Sequence, residues 1–284
     1  MLKIALPNKG SLSEGAVQLI KNAGYKVRRS GKQLFCTDEA NGVEFYFLRP
    51  KDITAYVASG TFTLGITGRD IVQDTNFDNV NEVLPLGFGK SKMRYIIPGA
   101  DEFTGLDMFE GKTIACSYPI LIKKHLASQN VNAQVVKLDG AVEISIQLGI
   151  ADAAADVVET GTTIREAGLK TVGETVLQSE AILISANQDL ASVELAQTFI
   201  KRLNGIIVAR KYVMLEYDIP TSKMEQACKL VPGFESPTIA ALHDPEWKGV
   251  KVMIPSSDIN ASMDQLEALG AKGIIATDIR TCRL

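Results

Sequence analysis

Histidine is nearly missing, with two in 284 residues, His125 and His243. Neither lies beside the partners of a nucleophilic triad, so hydrolase chemistry of that kind has no support. His125 falls in the helical segment "LIKKHLASQN", where a solvated or half-buried ring is expected, and His243 in "ALHDPEW" at a strand end or turn. Cysteine is scarce and scattered: Cys36, Cys116, Cys228 and Cys282 have none of the close spacings of a zinc knuckle or redox motif. They are expected to be reduced and mostly buried. No run approaches the roughly 18 apolar residues that span a membrane. Basic residues are not in excess, and a formal net charge of -3 argues against a general nucleic-acid binder. A phosphate-bearing ligand must therefore be met locally. The opening "MLKIALPNKG" enters a strand without the long apolar core of a signal peptide, which makes the cytoplasm the expected setting.

What is present is a chain with material for about two domains, or three small ones. After the strand "KIALP", Ser11 and Glu14 form a capping pattern and Leu12, Ala16, Leu19, Ile20 and Ala23 repeat at helical spacing. Strand-like runs follow at "VEFYFLR", "TLGITG" and "MRYIIPG", with a helix in "RPKDITAYVASG" between the first two. The alternation continues through "KTIACS", the helix "PILIKKHLASQN", the strand "AQVVKL", the helix "GAVEISIQLGIA" and the strand "ADVVE". Such alternation predicts an α/β chain with mainly parallel sheets. The stretch "DLASVELAQTFIKRLNGIIVARKY" is helical, with Leu195, Phe199, Leu203, Ile206 and Ile207 as its apolar stripe. Beyond a boundary near Lys211 the rhythm becomes β, α, β, β, α, β, the order of a ferredoxin-like unit.

Several strand ends carry chemistry. In "AADVVETGTTIREAGL", Gly161 permits a tight turn with exposed backbone N–H groups, while Thr162 and Thr163 add hydroxyl donors, as a phosphate monoester requires. Asp156 and Glu159 can hold ribose hydroxyls or a magnesium shell. The same residues also suit an ordinary strand-to-helix turn with a threonine cap. Lys9, Gly10 and Ser11 follow the first strand; Arg49, Lys51 and Arg69 follow two others, where Asp52 and Asp70 can orient them. Singly these are surface ion pairs; together, in an acidic chain, they favour a shared anionic pocket. Tyr118 in "CSYP" is placed either to stack on a base or simply to pack.

Taken in order, "LPNKGSL", "FLRPKDI", "LGITGRDIV", "LDGAVEISIQLGIADAAADVVETGTTIREAGL" and "SPTIAAL" resemble ATP phosphoribosyltransferase of the long, histidine-regulated form. The resemblance runs the length of the chain and is most specific from Glu143 to Ile164. It implies a two-lobed catalytic part like a periplasmic binding protein, with residues 1–92 and 180–211 as one lobe and 93–179 as the other. Residues 212–284 would form a C-terminal ferredoxin-like regulatory domain. The implied reaction is displacement of pyrophosphate from phosphoribosyl pyrophosphate by an adenine ring nitrogen of ATP, the first step of histidine biosynthesis, with Mg²⁺ as cofactor. By resemblance, Asp156, Glu159, Thr160, Gly161, Thr162 and Thr163 hold the ribose and its 5-phosphate. Lys9, Arg49, Arg69 and Glu143 serve catalysis, and Gly10, Lys51, Asp70 and Tyr118 the nucleotide. Glu159 departs from members with a smaller residue there. Glu143 either stabilises developing positive charge or caps the helix after Gly140. Asp218, Thr238 and Gly273 are the implied contacts for histidine as inhibitor, and the family implies homodimers and homohexamers. A solute-binding protein, a short-form subunit and a salvage phosphoribosyltransferase are the rival readings.

Overall fold

The first strand, β1 (Leu2–Pro7), is buried along nearly its whole length and is followed by α1 (Gly10–Asn22), whose Ala16, Leu19 and Ile20 form the buried stripe. This computed structural model describes residues 1–28, 33–159, 161–186 and 190–284. Next come β2 (Phe35–Asp38), β3 (Val43–Leu48), α2 (Pro50–Ala58), β4 (Leu64–Gly68), α3 (Arg69–Gln73) and β5 (Asn81–Pro85). The chain then builds β6 (Ser91–Pro98), β7 (Thr113–Cys116), α4 (Pro119–Ser128), β8 (Gln134–Lys137), α5 (Ile144–Gln147), β9 (Ala153–Val158), α6 (Thr162–Glu166) and β10 (Leu169–Ser179). It returns as β11 (Ala181–Ser185) and continues into α7 (Glu194–Ala209).

These strands form two sheets, ordered β2-β3-β1-β4-β11-β5 and β10-β6-β9-β7-β8. Each anchors an α/β lobe, and the chain passes between them after β5 and again after β10. Two such passages give the two-lobed layout of periplasmic binding proteins. The expected mainly parallel pairing gives way to mixed sheets. β1 is parallel to β3 and β4, but β11 runs antiparallel to both its neighbours, as does β6. In the first lobe, Ile182 and Ile184 of β11 pack with Ile53 and Val57 of α2. Burying each isoleucine contributes about 1.5–3 kcal/mol. The second sheet is covered on both faces: Met93, Tyr95 and Ile97 point into one cluster and Ile96 into the other.

Residues 1–21 and 25–198 form one compact unit, and 22–24 with 199–284 a second. The second unit contains β12 (Tyr212–Pro220), α8 (Met224–Leu230), β13 (Thr238–Ala241), β14 (Trp247–Pro255), α9 (Ile259–Leu269) and β15 (Lys272–Asp278). Its antiparallel sheet has the order β13-β14-β12-β15, the ferredoxin-like arrangement. Val213, Leu215, Tyr217 and Ile219 alternate inward from β12, leaving Glu216 and Asp218 on the opposite face.

Several local expectations change. α1 starts at Gly10, one residue before the Ser11 expected to cap it. The expected helix over Gly140–Ala151 shrinks to the single turn α5, bounded by positive φ at Ala141 (49°) and Gly149 (67°). Leu195, expected in the stripe of α7, is exposed, and Asp189 before it lies outside the described residues. Of the cysteines only Cys116 is fully buried; burial pushes its thiol up to about 11.

Candidate active site

The turn after β9 is where local sequence dictates local geometry most directly. Gly161 sits at φ 70°, the left-handed region that a side chain disfavours, and Thr162 and Thr163 follow at once in α6. Thr160, a predicted contact, lies outside the described residues. The turn opens on a cavity of about 550 Å³ lined by Gly68, Asp70, Tyr118, Glu143, Asp156, Glu159, Gly161 and Thr163, with Ser11 and Leu12 from α1. The structure therefore gathers Asp70, Tyr118, Glu143, Asp156, Glu159, Gly161 and Thr163 in one place. Lys9, Gly10, Arg49, Lys51, Arg69 and Thr162 are outside this lining, and the lining residues include several carboxylates but no lysine or arginine.

That composition shapes the electrostatics. Burial raises the pKa of Asp156 above the usual carboxylate range, and the charges of Glu143 and Asp70 add to it; the Val157 N–H and Lys51 pull the other way. The Val157 N–H donates to Asp156 Oδ1 at 2.8 Å. Glu143 occupies the position before α5 without making a side-chain cap, so the capping role expected for it is not made. Tyr118 packs its ring beside the second sheet's core and donates its hydroxyl to Asp70; burial and the neighbouring carboxylates raise its pKa. Asp70 also accepts from Ser179 Oγ at 2.6 Å, while its own N–H donates to the same oxygen at 3.0 Å. Asp70 is thus tied to Ser179 and Tyr118 rather than orienting Arg69.

Arg69 is engaged elsewhere. Its Nε and Nη2 donate to the two oxygens of Glu82 at 2.8 Å each, Nη1 to the Gln178 carbonyl at 3.1 Å, and Nη2 to Glu180 at 3.3 Å. Lys51 is exposed and pairs with Asp139 at 2.9 Å. Lys9 and Arg49 are exposed at the ends of β1 and β3. Asp74 was not anticipated at all: its Oδ1 accepts the N–H groups of Ile120 and Leu121 at 2.7 and 3.1 Å, capping α4 of the other lobe. Burial raises its pKa against the pull of those two bonds. Ser179 and Glu180 are not legible in the sequence either, since their partners lie 109 and 111 residues away, and Glu82 meets Arg69 across 13 residues and a change of strand.

The sequence of motifs is matched by relatives along the whole chain. A protein from Salinibacter ruber named ATP phosphoribosyltransferase is 50% identical over 100% of both chains. One of the same name from Corynebacterium kroppenstedtii is 49% identical over 100% of this chain and 99% of its own. The chain belongs to the ATP phosphoribosyltransferase family. The family model of that description matches residues 49–205, and a second, "HisG, C-terminal domain", matches 209–281. Both together mark the long form of the ATP phosphoribosyltransferase family. A solved chain from the Thermotoga maritima ATP phosphoribosyl transferase (HisG:HisZ) complex shares the fold, with a TM-score of 0.62 at 21% identity over 72% of this chain and 96% of that one. Among the described residues no helix is long and apolar enough to cross a membrane.

In the C-terminal unit, Asp218 and Gly273 are neighbours: a Cβ on Gly273 would lie 3.8 Å from Asp218 Oδ2. Thr238 stands on β13, two strands away from β12, opposite Lys251 of β14. The pairing puts Thr238 on the same sheet face as Lys251, Glu216 and Asp218.

Proposed function

We propose that this chain transfers the phosphoribosyl group of phosphoribosyl pyrophosphate to an adenine ring nitrogen of ATP. The nitrogen lone pair forms the new bond to the anomeric carbon, and pyrophosphate leaves with the electrons of the broken C–O bond. The observation that carries the reading is the left-handed Gly161 turn opening on the same cavity as Asp156 and Glu143. In this reading the Gly161 backbone and the Thr162 and Thr163 hydroxyls, with Thr160, take the 5-phosphate, and Asp156 and Glu159 take the ribose hydroxyls. The ribose ring gains positive charge as pyrophosphate departs, and Asp156 and Glu143 stabilise it electrostatically. The attacking nitrogen already carries its lone pair, so no strong base is needed and the scarcity of histidine is no obstacle.

Lys9, Arg49 and Lys51 supply positive charge from the strand ends, and the charge of Lys51 already reaches Asp156. Arg69 is left out of the substrate contacts, since Glu82 and Glu180 hold its guanidinium. Gly10, Asp70 and Tyr118 are assigned to the nucleotide side. The carboxylates facing the cavity are oxygen donors suited to Mg²⁺, yet among the described residues no cluster of three or more could hold a metal ion alone. That fits an ion held by one or two of Asp70, Glu143 and Asp156 together with substrate phosphates. When bound, Mg²⁺ neutralises charge on the departing pyrophosphate. Histidine feedback through Asp218, Thr238 and Gly273, assembly into homodimers and homohexamers, and a cytoplasmic setting belong to the same reading. The test is pyrophosphate release from phosphoribosyl pyrophosphate with ATP, compared with free purine bases and with no nucleotide. Release that needs ATP supports the assignment; equal release with a free base overturns it.

A further inference from the structure

Behind the Gly161 turn lies a second cavity, of about 300 Å³, with the opposite electrical character. Four cationic side chains line it, Lys92 and Arg94 from β6, Arg165 from α6 and Lys170 from β10, against one carboxylate, Glu159. Val158, Glu159, Gly161 and Ile164 line both this cavity and the acidic one, so the turn after β9 is the partition between them. Lys92, Arg94 and Lys170 enter none of the ion pairs found among the described residues. Arg94 donates from Nη2 to the Gly173 carbonyl at 2.8 Å, while its Nε is buried without a hydrogen-bond partner.

We propose that this cavity is a second anion site, for a pyrophosphate-class oxyanion, distinct from the cavity assigned to the reaction. Gathering like charges is unfavourable unless something neutralises them, and the chain as a whole is acidic, so the cluster is not a by-product of excess lysine. A monocarboxylate would leave most of this charge uncompensated. A multiply charged phosphate matches it, and guanidinium groups offer paired donors to phosphate oxygens. The Arg94 guanidinium, held at Nη2 by the Gly173 carbonyl, brings a planar donor group to this lining. Because the partition is the Gly161 turn itself, occupancy behind it bears on the backbone that faces the other cavity.

The experiment is calorimetric titration of the full-length protein with inorganic pyrophosphate, beside Lys92→Gln/Lys170→Gln. Two binding events per chain are expected, one of them weakened about tenfold or more in the double variant, since each lysine removed deletes a charge-assisted contact. A single event weakened to the same degree still supports this site, and counts instead against pyrophosphate binding in the other cavity. An isotherm that the double variant leaves unchanged overturns the proposal. Far-ultraviolet circular dichroism melts check folding, and if the double variant is unfolded, Lys92→Gln and Lys170→Gln singly carry the same comparison. Crystals grown with pyrophosphate give an independent readout: density beside Arg94 and Lys170 supports the site, and density confined to the other cavity overturns it.

Discussion

Arg69→Ala separates stability from catalysis, because the contacts of this residue support a bracing role that its place in the sequence does not suggest. A strand-end arginine facing water should matter more to turnover than to folding. Here the guanidinium makes a forked contact with Glu82, a third bond to the Gln178 carbonyl and a fourth to Glu180, with side-chain exposures of 21%, 34% and 20% for Arg69, Glu82 and Glu180. A fully exposed pair is worth about 0.2–1 kcal/mol, while breaking a buried one costs about 3–5. This network lies between, and its loss leaves Glu82 and Glu180 facing each other, so a cost of about 2 kcal/mol is expected. For a unit of this size each kcal/mol shifts the melting temperature by about 2–4 °C, giving a fall of about 4–8 °C. The assay is a calorimetric melt of wild type, Arg69→Ala and Arg69→Lys at low and high salt. Lysine should recover only part of the loss, because it has no planar fork, and the loss should persist in salt because the contact is sheltered. A melting temperature within about 1 °C of wild type for Arg69→Ala would refute the bracing role and return the guanidinium to the substrate.

Gly161→Val with Thr163→Ala should weaken phosphoribosyl pyrophosphate binding about tenfold or more in a titration of the folded variant. The Gly161 Cβ would have room, its nearest neighbours being Arg165 Nη1 and Val158 Cγ1 at 3.5 Å, so the harm comes from the left-handed backbone and the lost hydroxyl; unchanged affinity sinks the cradle. Asp156→Asn should lower turnover yet raise the melting temperature at neutral pH. The folded-state pKa of Asp156 is raised, so the stability linked to its proton is present below the unfolded pKa and lost as pH rises through the folded one; asparagine removes that loss. Melts from pH 4 to 8 check it, and a variant whose stability falls with pH as steeply as wild type refutes it. Thr238→Ala should weaken inhibition by histidine in the full chain. Inhibition at the wild-type concentration removes Thr238 from the effector contacts.

The parts of this molecule that were legible in the sequence are those written locally. Gly161 and the threonines after it sit next to one another, and the inward alternation of Val213, Leu215, Tyr217 and Ile219 is a property of one strand. The unread strands fail that condition. β10 mixes buried and exposed positions irregularly and carries a register shift between Val172 and Leu177, so its period is broken. β11 is a short, wholly buried run with four apolar residues before Ser185, which periodicity alone cannot assign. Missing these strands also hid the antiparallel pairings they make. The site divides in the same way: the Asp70–Ser179 bond joins residues 109 apart and the Arg69–Glu180 contact residues 111 apart, separations that no local motif encodes. The short α5 shows the reverse error, an apolar spacing that reads as helix although Leu148 and Ile150 are exposed and Gly149 turns the chain.

The order of strands in the first sheet also sets the order in which a newly made chain can finish. β11, residues 181–185, lies between β4 and β5, although the entire second sheet, from Ser91 to Ser179, is translated before it. When the ribosome has made residue 180, every strand of the second sheet exists, and that lobe can fold as a continuous unit. The first lobe at that moment has β4 as an open edge and β5 with no neighbour, a template for unwanted pairing in a crowded cell. Begun at residue 2, it is the later of the two lobes to close.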